Sequence, residues 1–130
     1  MPETPRMTGA RLRVLRERLG LPVEWLAERL GVNARTLERW EHERNPIPDG
    51  VAREVEALDR QATSIITATV SGLREDDEPI IETYRTNDGY RAHEPGTDWP
   101  ASWHRALAGR IAERVPGVAI VYRDGPPARQ

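Results

Sequence analysis

Arg35, Glu38 and Arg39 stand in the run Asn33-Ala34-Arg35-Thr36-Leu37-Glu38-Arg39-Trp40-Glu41, whose residue types suit contact with the edges of base pairs. A guanidinium can bond guanine O6 and N7 together, and a carboxylate can accept from the cytosine amino group. Helical spacing turns Leu37 and Trp40 inward and leaves Asn33, Ala34, Arg35, Glu38 and Arg39 outward. Arg35 is then the guanine contact, worth about 1–3 kcal/mol of discrimination. Glu38 either accepts from cytosine or orients Arg35 or Arg39, and Arg39 meets a phosphate. Asn33, at the helix start, offers its amide and the local N–H groups to another phosphate. Thr36 is counted with this set.

No other constellation carries chemistry. His42, His93 and His104 are far apart and fit no metal-ligand spacing, so no metal site and no cofactor is expected. Cysteine is absent, which excludes thiolate clusters, disulfides and a cysteine nucleophile. Neither a nucleophile elbow, a phosphate-cradling glycine loop nor a paired-carboxylate site is present, so catalysis is not expected. Asp76-Asp77-Glu78 lacks the calcium-loop pattern and reads as a charged connector.

The net charge of −2 is a poor guide to partners, because the charges are segregated. Arg6, Arg11, Arg13, Arg16 and Arg18 are opposed within their stretch by Glu17 alone, while the acidic excess falls at residues 75–78. Arg6, Arg11 and Arg13 can therefore supplement the phosphate contacts. Every basic residue is arginine, suited to bidentate recognition. Mean hydropathy is −0.67 and no apolar run approaches a membrane span, so a soluble protein is expected. Met1 to Met7 does not resemble a signal peptide, and a reducing, cytoplasmic setting follows.

Four amphipathic segments must position the outward residues. The first is capped by Thr8, turns Leu12, Leu15 and Leu19 inward and stops at Gly20. The second runs from Pro22 or Val23 to Leu30, with Leu26, Ala27 and Leu30 inward and Gly31 ending it. Asn33 caps the third, residues 34–44. After the rigid connector Asn45-Pro46-Ile47-Pro48, Asp49 caps a long fourth helix reaching residue 74. Its inward stripe is Val51, Val55, Leu58, Ala62 and Ile65. Beyond the 75–79 linker the pattern gives a strand over 79–85 and a turn at Asn87-Asp88-Gly89. Thr97 or Asp98 then precedes a helix over 100–115, with Trp103, Leu107 and Ile111 on one face, and 118–122 reads as a buried strand. The fold class is mainly α: a helix-turn-helix bundle over 8–74 and a small strand-helix-strand dimerisation unit over 80–122. Residues 1–7 and 123–130 are read as flexible ends.

Leu26-Ala27, Leu30-Gly31-Val32, Thr36-Leu37 and Arg39-Trp40-Glu41, spaced without a gap, resemble the lambda-repressor/Cro-like (XRE) helix-turn-helix family. The resemblance covers about residues 8–60 and implies a recognition helix set in the major groove of double-stranded DNA. Two departures stand out. Pro22 and Val23 replace the family's Ser/Thr and Gln at the start of the second helix, and Glu43 stands where the family commonly has glycine.

A second likeness, through Trp40-Glu41, Ile47-Pro48-Asp49, the Tyr84 strand and the Trp103 helix, is to anti-CRISPR-associated autorepressors. It implies a homodimer that represses its own operon. A dimer also follows from physics, since one such motif reads only a few base pairs and two-fold pairing on a pseudo-palindromic operator doubles the site. Half-sites would lie about 34–36 Å apart. The rival reading is an antitoxin-like module whose C-terminal unit, with Tyr84, Tyr90, Trp99, Trp103 and Tyr122, binds a protein partner.

Overall fold

Thr8 accepts the Arg11 N–H at 3.0 Å and opens α1 (Gly9–Arg18); Leu12 and Leu15 along it and Leu19 at its C-terminal cap are buried. The computed structural model describes residues 6–126; the expectations for residues 1–5 and 127–130 lie outside the described residues. Three further helices follow in the first half: α2 (Val23–Leu30), α3 (Ala34–Glu41) and α4 (Asp49–Leu73). Then come β1 (Ile80–Thr83), α5 (Asn87–His93), α6 (Ala101–Ala112) and β2 (Ala119–Tyr122). By compactness the chain divides inside α4, between Gln61 and Ala62.

In the first unit α3 packs on both α1 and α2. The core holds Leu12 and Leu15 of α1 with its cap residue Leu19, Leu26 and Ala27 of α2, Leu37 and Trp40 of α3, and Val55 and Leu58 of α4. Leu30 is only half-buried. The α1–α2 and α2–α3 turns share one geometry. Gly20 (φ 67°) and Gly31 (φ 73°) take the left-handed conformation, and the following N–H groups reach back to Arg16 O and Ala27 O. This is the doubly hydrogen-bonded helix stop that glycine favours, because a Cβ at positive φ meets the backbone.

In the second unit β1 and β2 pair in parallel, Ile80 with Ala119 through Thr83 with Tyr122, and α6 packs against both. Trp103, Leu107, Ala108 and Ile111 of α6 are buried, as are Ala62, Ile66 and Val70 on α4. Three expectations change here. Ile65 is 39% exposed and Ile66 takes the inward place, because 62, 66 and 70 keep a strict four-residue step. The Asn87-Asp88-Gly89 turn is the first turn of α5, capped by Thr86, whose hydroxyl accepts the Gly89 N–H at 2.9 Å. The 118–122 strand is not buried: all of β2 is exposed, because its outer edge has no strand beside it among the described residues. Just beyond β2, Asp124 is buried beneath the N–H groups of Arg85 and Thr86. No helix among the described residues is long and apolar enough to cross a membrane.

Candidate nucleic-acid interface

The helix α3 starts at Asn33, whose Oδ1 accepts the Thr36 N–H at 2.8 Å and the Thr36 hydroxyl at 2.9 Å. Two of the expected site residues thus fix the helix start, which leaves Asn33's amide group as its outward donor. No acidic residue lies in the first turn, so the positive end of the helix dipole is not offset from within α3. At α2 the situation is reversed. Pro22 supplies no side-chain cap and Glu24 sits in the first turn, so that helix start is a poor phosphate seat.

Leu37 and Trp40 anchor α3, and Arg35, Glu38 and Arg39 are exposed on its other side; Ala34 and Thr36 are half-buried. Arg35, Glu38 and Arg39 border one shallow depression of about 340 Å³ that His42 and Arg44 complete. The last two were not anticipated as site residues. Helical continuation to residue 44 would have carried Arg44 around α3, but the helix ends at Glu41 and Glu43 (φ 60°) turns the chain. His42 caps that end: its Nδ1–H donates to Glu38 O at 2.8 Å, leaving Nε2 as the ring's free nitrogen. Three guanidiniums, Arg35, Arg39 and Arg44, line the depression against the single carboxylate of Glu38. Planar donors converging on a shallow exposed surface suit phosphate and base edges rather than an enclosed substrate.

The remaining arginines divide sharply. Arg16 is a structural residue: its Nε and Nη2 hold Glu41 at 2.6 and 3.0 Å, and Nη1 donates to Leu21 O at 3.2 Å. Glu41's hydrogen bond, outweighing burial, raises the Arg16 pKa further above its already high value. Arg13 makes an exposed pair with Glu17, and Arg6 and Arg11 are exposed. Among the described residues no cluster of three His, Asp or Glu side chains could hold a metal ion.

Residues 8–61, the segment that contains every one of these groups except Arg6, match the family model described as a helix-turn-helix domain. This segment is a helix-turn-helix domain. Its second and third helices are α2 and α3, in the order the sequence implied. The chain is also 29% identical over 120 residues to the Aca2 repressor of Pectobacterium phage ZF40, an alignment spanning 92% of this chain and 96% of that protein. The helix-turn-helix domain therefore sits within a likeness that continues through the C-terminal unit.

Proposed function

We propose that this protein is a dimeric, sequence-reading transcriptional repressor that sets α3 in the major groove of a pseudo-palindromic operator in its own promoter. The coarser statement, a DNA-binding transcriptional regulator, is what the helix-turn-helix domain and the likeness to a repressor support. The observation that carries the proposal is the exposed face of α3, where Arg35, Glu38 and Arg39 project beside Arg44. Arg35 reads guanine, Arg39 and Arg44 hold phosphates, and the start of α3 at Asn33 approaches the backbone. Repression follows from occupying the promoter.

Homodimerisation is supported by apolar residues on the second unit that a lone copy leaves in water. Ile80 is 53% exposed, Ile120 49%, Val121 43% and Tyr122 49%, all on the paired strands. Apolar side chains left exposed on both faces of the strand pair favour a covering partner.

Fluorescence anisotropy on the DNA upstream of the gene, against an unrelated duplex and at two salt concentrations, tests the reading. The wild type is expected to prefer its own upstream DNA, and Arg35→Ala to lose about tenfold or more of that preference. Weak binding to both duplexes with the same salt slope would reduce the interaction to phosphate contact and refute sequence reading.

A further inference from the structure

Three successive helices of the helix-turn-helix domain end in the same doubly bonded left-handed turn, but only two of them use glycine. At the end of α3 the Glu43 N–H donates to Trp40 O at 3.1 Å and the Arg44 N–H to Arg39 O at 2.9 Å, with Glu43 at φ 60°. A glutamate in that conformation is strained relative to glycine. Its side chain supplies the reason for its presence. Glu43 Oε1 accepts the Gly9 N–H at 3.1 Å, so a residue 34 positions away caps the first turn of α1. That turn has no acidic residue of its own, and a carboxylate at a helix N-terminus is favourably placed.

The contact is also close. A Cβ on Gly9 would collide with the carbonyl oxygens of Trp40 and Glu41 and lie 2.7 Å from Glu43 Cγ. The positive end of α1 thus abuts the negative end of the recognition helix, with the Glu43 carboxylate beside both. The second polar tie between these helices is Arg16 to Glu41. Gly9 and Arg16 are seven residues apart on α1, about 10 Å at the helical rise. One polar tie would leave α3 a pivot about Arg16, whereas two separated ties resist rotation.

From this we infer that Glu43 is a positioning residue for sequence recognition: it sets the angle at which α3 presents Arg35, Glu38 and Arg39 to base edges. The inference rests on the sequence-reading function proposed above. Base-edge hydrogen bonds are short and directional, so they lose more from a small rotation than contacts to phosphates do.

The test starts from a random-sequence duplex pool enriched on the wild-type protein. Affinities for the enriched duplex and for an unrelated one are then measured for wild type, Glu43→Gly and Glu43→Gln. Glycine relieves the left-handed strain while removing the tie, so the variant keeps its fold; glutamine keeps an acceptor oxygen. The ratio of the two affinities is the readout, because removing a negative charge near DNA raises both affinities together.

Glu43→Gly is expected to lose about tenfold of that ratio at a melting temperature near wild type, with faster hydrogen exchange at the Gly9 amide. Glu43→Gln is expected to retain most of it. An enriched consensus whose discrimination survives in Glu43→Gly would overturn the positioning role alone. So would equal losses in the glycine and glutamine variants. If the wild type enriches no consensus, sequence reading and the positioning role fall together.

Discussion

His104 shows how one side chain ties stability to pH in the second unit. Its Nδ1 lies 2.7 Å from the Thr83 hydroxyl, and its ring meets those of Tyr84 and Tyr90 edge-on at 4.9 and 5.1 Å. Burial lowers its pKa from 6.5, and the nearby Glu94 carboxylate only partly opposes this. The folded state therefore prefers the neutral ring. As pH falls through about 6.5 the unfolded chain takes up the proton first, so stability is full above that value and declines below it. The melting temperature of the wild type is expected to fall between pH 7 and 5, and that of His104→Gln to fall less. Parallel curves would show that the burial of His104 has no such effect. At this scale the sequence distinguished little among like residues. Arg16 and Arg35 are the same amino acid on amphipathic helices, and only the nearness of Glu41 makes the first a strut and leaves the second free of the core.

Elements were more legible than their surroundings. Leucine spacing, the caps Thr8 and Asn33 and the stops Gly20 and Gly31 all act within a few residues, and the structure keeps each of them. The end of α3 was misjudged because Glu43 has no local reason to adopt a left-handed turn; its partner is Gly9. The second unit repeats the lesson at α5. Asp124 receives the Arg85 N–H at 2.7 Å and the Thr86 N–H at 3.2 Å, latching the end of β2 to the start of α5. Burial works against its charge, yet these donors and the Thr86 hydroxyl hold its pKa below the ordinary carboxylate value. Gly89 lets the carboxylate approach, since a Cβ there would lie 2.6 Å from Asp124 Cγ. Asp124→Ala is expected to speed amide exchange at Arg85 and Thr86 and to lower the melting temperature. Exchange rates as slow as in wild type would mean that the helix cap at Thr86 suffices without the latch.

For the whole molecule the open question is what covers β2. Parallel strands are ordinarily buried, and this pair leaves apolar side chains in water. The proposed homodimer predicts a two-chain species in sedimentation equilibrium. Ile120→Asp should shift it to a monomer without unfolding it, since that side chain is half-exposed already. Operator affinity should then drop at least tenfold, because each copy reads one half-site alone. A wild-type monomer would instead direct attention to a different protein partner for the same strands.

The sequence by itself determined the helix-turn-helix domain, its helix order and the outward Arg35, Glu38 and Arg39 on α3, because apolar periodicity and capping are local consequences of residue type. Tertiary structure decided which charges are structural and where α3 ends. It also decided that Arg44 and His42 border the same depression as Arg35, Glu38 and Arg39 and that β2 lies exposed. Those outcomes depend on groups brought together from distant positions, Gly9 with Glu43, Arg16 with Glu41 and Asp124 with Thr86, and no local pattern encodes such distances.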